Sequence, residues 1–190
     1  MKVAVYSGSF NPLHKGHQSI MEHLTRYGLF DIVYLVVSPR NPLKEGIDAC
    51  SGRDRFEAAA AAVARHPELK VLVDDIELGM EAPQYTIRTL DALKEREPEN
   101  SFTLVIGADN LALIRRWRSY RRILTEYGAV VYPREGYDME VLRGDLLEEC
   151  RRAHRKLYRI TLMDAPRVDI SSTEIRSALA SGRDMSEWLM

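Results

Sequence analysis

Two histidines three positions apart, His14 and His17, follow the first apolar run of the chain, Val3–Tyr6. The connecting stretch, SGSFNPLHKGH at positions 7–17, contains a glycine for a tight turn, hydroxyls at Ser7 and Ser9, and a proline that stiffens the exit. A helix that begins after such a turn directs free N–H groups and partial positive charge toward it, an arrangement that suits a phosphate. Imidazole N–H groups would add further donors to phosphate oxygens. The pattern therefore predicts a phosphate-binding turn at the end of the first strand.

Other interpretations of the histidine pair are weaker. His14 and His17 could simply be surface or half-buried residues at a helix start, or they could ligate zinc, but no third ligand is evident nearby. The sequence has no GxxxxGK[ST] loop and no GxGxxG after a strand. These absences disfavour a P-loop kinase and an ordinary dinucleotide oxidoreductase.

More candidates follow the later apolar runs. In IGADNLALIRRW, positions 106–117, Gly107 permits close approach of a ligand, and Asp109 either holds a ribose hydroxyl or caps a helix. Trp117 either fills the core or stacks on an aromatic ligand. In YPREG, Arg134 either stacks on a purine or belongs to an ordinary turn.

Two predicted helix starts could hold anions. Thr86 opens a helix in QYTIRTL, which leaves the N–H groups of Tyr85 and Thr86 available to a ligand. Ser171 stands three residues before Glu174, the spacing of a capping box. This second start is surrounded by hydroxyls and a guanidinium, from Ser171, Ser172, Thr173 and Arg176.

The elements that must position these residues alternate between strand and helix. Valine- and isoleucine-rich runs occur at 3–6, 32–37, 71–73, 102–106, 129–132 and 158–163. Helical spacing fills 20–27, 53–65, 86–97, 138–157 and about 172–182, with Val141, Leu142, Leu146 and Leu147 predicted to face inward. We therefore expect one α/β domain over residues 1–190, a Rossmann-like open parallel sheet with helices on both faces, whose ligand lies beyond the carboxyl ends of the strands.

Composition narrows the choice of partners. The 190 residues are 45% hydrophobic, and 27 basic residues against 28 acidic ones give a net charge of -1, so nucleic acid is not the expected partner. The basic stretch RRWRSYRR at 115–122 therefore predicts a solvated helix face. Cys50 and Cys150 lie outside any CxxC pair and are expected to be free thiols. With no signal-peptide pattern and no apolar run of membrane-spanning length, we expect a cytoplasmic protein that does not bind membranes.

Taken together, the motifs HxGH, YTIRTL, GADNLALIRRW, YPREG and ISSTEIR resemble those of bacterial nicotinate mononucleotide adenylyltransferases of the HxGH nucleotidyltransferase superfamily, from Met1 to about Gly182. The resemblance implies an enzyme of NAD biosynthesis that joins ATP and nicotinate mononucleotide, with magnesium, and releases pyrophosphate. Ser7, Asn11 and Gln84 replace the glycine, aspartate and serine that are usual in that family. A sister adenylyltransferase for nicotinamide mononucleotide or phosphopantetheine, and a non-catalytic nucleotide sensor, are the alternatives.

The resemblance also implies site residues. His17 and His14 would be catalytic, and residues 171–190 would close the ATP site. ATP would be bound by Gly8, Ser9, Phe10, His14, His17, Ile106, Gly107, Asp109, Arg134, Ser171, Ser172, Thr173 and Arg176. Nicotinate mononucleotide would be bound by Ser9, Lys44, Tyr85, Thr86, Asp109 and Trp117. Mg²⁺ would be held mainly by the ATP phosphates and not by protein ligands.

Overall fold

The computed structural model describes residues 1–26, 28–39, 51–154, 156–165 and 170–190. Within these ranges, six strands form one sheet in which every neighbouring pair is parallel, in the order β3-β2-β1-β4-β5-β6. The strands are β1 (Lys2–Gly8), β2 (Ile32–Val37), β3 (Val71–Asp74), β4 (Ser101–Gly107), β5 (Ala129–Tyr132) and β6 (Ile160–Leu162). The predicted α/β class and parallel sheet are confirmed.

Helices connect the strands. The α-helices are α1 (Lys15–Arg26), α2 (Gly52–Ala64), α3 (Thr86–Arg96), α4 (Ala108–Ala112), α5 (Tyr120–Arg122), α6 (Met139–Arg152) and α7 (Ser172–Ala180). Short 3₁₀ turns cover Ile76–Gly79, Ile114–Arg116 and Ser186–Trp188, and a π-helical turn, Ile123–Tyr127, continues α5. None of the helices in the described ranges combines the length and apolarity that a membrane crossing requires.

The sheet is buried from both sides because β1 and β4, at its centre, carry apolar side chains on both faces. Helices α3, α4 and α6 cover one face with residues such as Leu90, Leu111 and Leu146. Helices α1 and α2 cover the other face with residues such as Met21 and Ala59. The helices therefore lie on both faces, as the sequence predicts.

One detail of the predicted core is wrong. Val141 is 57% exposed, whereas Leu146 is buried and Leu142 and Leu147 pack partly against the core. Helix α6 turns its 142, 146 and 150 positions inward, with Cys150 a buried free thiol, and this spacing of four leaves Val141 about 100° away from the stripe.

The strand order reverses between β1 and β4. The chain runs from β1 outward to β2 and β3, then crosses to β4 and continues to β5 and β6 on the other side. In open α/β sheets this switch point forms a crevice at the carboxyl ends of the strands, and ligands bind there. The turns after β1 and β4 are therefore the first places to look for a site.

Candidate active site

The turn after β1 is held by a buried aromatic ring. Phe10 has a φ of +44°, a left-handed conformation that disfavours most side chains, and it is nevertheless only 5% exposed. Its ring packs edge-on against Tyr6, with centroids 5.3 Å apart, and against His17, at 5.2 Å. Burial of the ring offsets the backbone strain and fixes the turn beside His17.

The two histidines stack and bind the backbone through the same ring nitrogen. Nδ1 of His14 accepts the N–H of Gly16 at 3.2 Å, and Nδ1 of His17 accepts the N–H of His14 at 3.3 Å. The ring centroids are 3.7 Å apart. Since Nδ1 is the acceptor in each neutral ring, we assign the proton to Nε2, which makes both imidazoles hydrogen-bond donors.

Gly16 is the residue that permits this arrangement. A Cβ at position 16 would lie 3.0 Å from Nδ1 and Cε1 of the His14 ring. The ring could then no longer fold back onto the Gly16 amide. The presence of glycine in the HxGH motif is therefore explained by a local steric requirement.

Both imidazoles are neutral at physiological pH. The pKa of His14 is lowered to about 4, chiefly by burial and also by the positive charge of Arg134, against an opposing effect of Glu174. Burial also lowers the pKa of His17 well below its usual value, with added contributions from His14 and Arg134. Two stacked rings with depressed pKa values suit hydrogen-bond donation and not proton transfer near neutrality.

The histidines line a cavity of about 470 Å³, within the size range of small-molecule sites. Five of the sequence-predicted ATP residues meet there, namely His14, His17, Asp109, Arg134 and Ser171. The cavity is bounded by the turn after β1, the ends of β4 and β5, and the start of α7. It thus lies at the switch point of the sheet.

Asp109 and Arg134 face each other across the end of β4. Their Oδ1 and Nε atoms are 3.8 Å apart, and both atoms are buried without a hydrogen-bond partner among the described residues. A Cβ at Gly107 would collide with Asp109 Oδ1 and approach Arg134 Nε to 3.1 Å. Gly107 therefore makes room for both side chains, whose unsatisfied atoms indicate a polar ligand.

Asp109 does not cap helix α4. The helix has Gly107 at its N-cap, without a side-chain cap, and Asp109 lies in its first turn. The alternative interpretation, in which Asp109 caps a helix, is therefore wrong.

The start of α7 is attached to the first turn. Ser172 Oγ donates to the Pro12 carbonyl at 3.1 Å, and Arg176 Nη1 donates to the Asn11 carbonyl at 2.6 Å. Arg176 also donates to Thr173 Oγ1 at 3.2 Å. These bonds bring a second helix amino end to the cavity beside the histidines.

The predicted capping box at Ser171 is present. Ser171 Oγ accepts the N–H of Glu174, and the Glu174 carboxylate accepts the N–H of Ser171 at 2.8 Å and its hydroxyl at 2.6 Å. These hydrogen bonds lower the pKa of Glu174 and keep it ionised. The amides of Ser172 and Thr173, which have no acceptor within the helix, are then the donors that α7 offers to an anion.

Of the residues predicted for the acceptor, Asp109 lines this cavity, whereas Ser9, Tyr85, Thr86 and Trp117 do not. Tyr85 is the N-cap residue of α3, is 40% exposed and makes no side-chain cap. Its own N–H donates to the Pro83 carbonyl at 3.0 Å, so the prediction that this N–H is available to a ligand is wrong, and the first amide that α3 offers is that of Thr86. The guanidinium of Arg118 lies over the Tyr85 ring at 5.6 Å. Trp117 packs partly against the core, next to that arginine.

The remaining predicted residues occupy supporting positions. Gly8 ends β1, Ser9 is the first residue of the turn that follows, and Ile106 is buried near the end of β4. The Ser9 carbonyl accepts from Arg55 at 2.9 Å. Lys44, like Cys50, lies outside the described residues.

Several cavity residues were missed by the sequence analysis. They are Gly16, Ile20, Tyr132, Pro133, Glu135, Tyr137, Ala165, Ile170 and Glu174. Tyr132 was the most accessible to prediction, because it ends a strand directly before Arg134, and its hydroxyl accepts from that arginine at 3.2 Å. Glu174 was recognised only as a cap, since sequence spacing does not show that the same carboxylate borders a cavity.

Side chains suitable for a resident metal do not converge in the described ranges. No group of three His, Cys, Asp or Glu residues there could hold a metal ion. A magnesium ion bound to substrate phosphates needs at most one or two carboxylates and keeps several waters. The cavity, with Asp109 at its edge, is compatible with that mode of binding.

Comparison with known proteins agrees with the geometry. The sequence model of the cytidylyltransferase-like family matches residues 5–178. A curated protein of Porphyromonas gingivalis, named probable nicotinate-nucleotide adenylyltransferase, is 38% identical over 189 residues, which are 100% of this chain and 89% of that protein. A protein of Flavobacterium johnsoniae with the same name is 34% identical over 189 residues, 100% of this chain and 92% of its own.

A solved structure is also similar. Plasmodium falciparum nicotinic acid mononucleotide adenylyltransferase, complexed with NaAD, superimposes with a TM-score of 0.74 at 18% identity and covers 98% of this chain and 87% of its own. At that identity the likeness concerns the fold. The all-parallel sheet with its flanking helices is thus that of a known nucleotidyltransferase.

Proposed function

We propose that this chain, which belongs to the cytidylyltransferase-like family, transfers the adenylyl group of ATP to nicotinate mononucleotide. The products are nicotinate adenine dinucleotide and pyrophosphate, a step of NAD biosynthesis. The full-length relatives named for this activity support the assignment. The observation that carries it is a pair of neutral imidazole donors in a cavity bordered by two helix amino ends.

The reaction needs charge stabilisation more than proton transfer. A phosphate oxygen of the mononucleotide, already ionised at neutral pH, attacks the α-phosphorus of ATP. A new P–O bond forms as the bond from the α-phosphorus to the bridging oxygen breaks, and pyrophosphate leaves with the electron pair. Fixed donors must meet the charge that builds on these oxygens.

We assign those donors to residues on what we call the ATP side of the crevice: His14, His17, Asp109, Arg134 and the start of α7. Nε2–H of His17, and then of His14, would donate to the phosphate oxygens, with the amides of α1 and α7 adding their dipoles. Asp109 and Arg134, whose buried atoms lack partners, would take the ribose and adenine of ATP.

Arg176 and the hydroxyls at the start of α7 would meet the β- and γ-phosphates. Nη1 of Arg176 donates to the Asn11 carbonyl, so this side chain also holds the start of α7 against the first turn. Mg²⁺, bound to the ATP phosphates, would neutralise part of their charge.

The acceptor side of the crevice, as we define it, comprises Tyr85, Thr86, Trp117 and the turn residue Ser9. The amides at the start of α3 would receive the nicotinate carboxylate, and the Trp117 ring would lie near the pyridine. The resemblance also implies Lys44 as a ligand of the acceptor. We further propose a cytoplasmic location, since the buried thiol of Cys150 suits a reducing compartment.

The decisive experiment measures pyrophosphate release with ATP and magnesium across a panel of acceptors. The panel contains nicotinate mononucleotide, nicotinamide mononucleotide and phosphopantetheine. We expect nicotinate mononucleotide to give the highest kcat/KM. A higher value for another acceptor would assign the chain to a sister activity, and binding of ATP without turnover on any acceptor would make it a nucleotide sensor.

A further inference from the structure

Helix α2 buries an arginine where a cation is unfavourable. Arg55 is 3% exposed and shares the inward stripe of the helix with Ala59 and Ala62. It lies in the first turn, where the partial positive charge of the helix opposes another positive charge. No carboxylate lies within ion-pair distance of it in the described part of the chain. A buried charge in such a position needs compensation from elsewhere.

Three main-chain carbonyls compensate Nη1 and Nη2, while the buried Nε has no hydrogen-bond partner among the described residues. Arg55 Nη1 donates to Ser9 at 2.9 Å and to Ser38 at 2.7 Å, and Nη2 donates to Pro39 at 2.6 Å. Ser9 belongs to the turn after β1, and Ser38 and Pro39 follow β2 directly. One guanidinium therefore joins the ends of two neighbouring strands at the edge of the crevice.

A buried carboxylate holds the same strand ends from the opposite face of the sheet. Glu77 is 4% exposed and accepts the hydroxyls of Ser7 at 3.1 Å and Thr89 at 2.8 Å. The Ser7 hydroxyl is also 3.0 Å from that of Ser38. Since Thr89 lies in the first half of α3, this network connects the end of β1 to the helix that starts at Thr86.

We propose that Arg55 and Glu77 are positioning residues for the acceptor mononucleotide. Together they fix the turn at Ser9 with the neighbouring end of β2, and the start of α3. The resemblance assigns Ser9 to both substrates, and we assign the start of α3 to the acceptor alone. Neither residue belongs to one of the motifs identified in the sequence, and their hydrogen bonds do not involve Asp109 or Arg134 of the ATP side. We call the hydrogen bonds of Arg55 and Glu77 to these elements the brace. The inference rests on the proposed function and predicts that weakening the brace changes KM for the two substrates unequally.

The test is the variant Arg55→Lys, with KM measured for each substrate while the other is saturating. A lysine ammonium cannot span three carbonyls as the planar guanidinium does. We expect KM for nicotinate mononucleotide to rise roughly tenfold or more, as for the loss of a charge-assisted hydrogen bond, and KM for ATP to change by less than about threefold. A merely structural role would lower thermal stability and active fraction but leave both KM values unchanged.

The matched control is Arg159→Lys, which alters an arginine that donates to the Glu126 carbonyl at the amino end of the β5–β6 pair. Both KM values should stay unchanged there. Unchanged KM values in Arg55→Lys, or an equal or larger rise for ATP, would overturn the inference.

Two further outcomes are separable. If Arg55→Lys yields no folded protein by circular dichroism, Glu77→Met, which removes both acceptor oxygens but keeps a side chain of similar length, loosens the same strand ends from the other face. The same unequal KM change in that variant supports the brace, and unchanged values overturn it. Absence of wild-type turnover overturns the proposed function and this inference with it, whereas wild-type turnover with unchanged KM values in the variant overturns only the brace.

Discussion

On the ATP side of the crevice, side chains already face one another: the imidazoles of His14 and His17 are stacked, and Asp109 lies opposite Arg134 over Gly107. On the acceptor side, Trp117 packs partly against the core. Tyr85 is exposed and does not line the cavity. The first region is thus organised by side chains that contact one another, and the second depends on main-chain amides and on the elements that hold them.

This difference suggests that the two sides have different roles in the reaction. Donors that stabilise the reacting phosphates must be fixed before the substrates arrive, because reorientation would cost part of their effect. Recognition of a small acceptor ring needs only a few well-placed contacts at a helix start. Variants on the ATP side should therefore change the rate of the reaction, and variants on the acceptor side should change the choice of substrate.

The largest effect is expected for His17→Ala. Loss of one fixed donor to the developing charge costs about 3 to 4 kcal/mol, or roughly 10² to 10³ in kcat. Folding should be intact by circular dichroism, and His66→Ala, a histidine outside the cavity, serves as the control. A kcat within a few-fold of wild type would remove His17 from the mechanism. It would also contradict the expectation that variants on the ATP side change the rate of the reaction.

A second prediction concerns the pH dependence of stability. The pKa of His14 is about 4 in the folded protein and about 6.5 in the unfolded chain, so the unfolded chain binds more protons between these values. The contribution of His14 to the free energy of unfolding is therefore full above pH 6.5 and is lost as the pH decreases toward 4. Between pH 7.5 and pH 5 this loss is about 2 kcal/mol.

Urea unfolding at the two pH values, in wild type and in His14→Gln, measures this difference. The variant should lose less stability on acidification than wild type. An equal loss in both proteins would show that the His14 ring is not held neutral, which contradicts the pre-organised donors of the ATP side.

The acceptor side is tested by substrate preference. The helix dipole at Thr86 favours a carboxylate over a neutral carboxamide, and we expect a kcat/KM ratio above about ten for nicotinate over nicotinamide mononucleotide. Thr86→Pro removes the amide but suits the first position of a helix, and Tyr85, with φ -76° and ψ 135°, tolerates a following proline.

The ratio should fall toward unity in Thr86→Pro and stay high in Thr86→Ala, which retains the amide. Steady-state kinetics with both mononucleotides gives the comparison. If the ratio survives in Thr86→Pro, the acid is recognised by something other than the start of α3.

The smallest effect is expected for Arg118→Ala. Its guanidinium lies over the exposed Tyr85 ring, a contact worth about 0.5 to 1 kcal/mol. KM for nicotinate mononucleotide should rise roughly two- to fivefold without a change in KM for ATP. Arg121→Ala, an arginine over Tyr120 at 4.8 Å, is the matched control, and an equal rise there would mean that the contact at Tyr85 has no special role.

Sequence patterns predicted the fold well because the buried parallel strands are continuous apolar runs. Each of the six predicted runs coincides with or overlaps a strand in the described structure, and the helix starts at Thr86 and Ser172 agree with those predicted. The failure at Val141 has a local cause: adjacent apolar residues on a helix cannot all face one direction, and the sequence alone does not show which of them will.

The candidate site was predictable where chemistry is concentrated in a motif. The HxGH turn brings its own imidazoles, glycine and helix start together, so the cavity position of His14 and His17 follows from neighbouring residues. Arg55 shows the limit, because its acceptors belong to Ser9 and Ser38, brought near only by the pairing of β1 with β2. Its one visible signal is a cation on an otherwise alanine-lined inward stripe.

The attachment of α7 to the first turn has a consequence for synthesis of the protein. Ser172 and Arg176 reach back across 160 and 165 positions to the carbonyls of Pro12 and Asn11. A nascent chain that has formed β1 through β5 on the ribosome would already carry its histidines, yet it would lack the segment that borders the nucleotide pocket. Ligand binding should therefore begin only once α7 has been synthesised, so that nucleotide can stabilise a chain that contains α7 but not a shorter precursor.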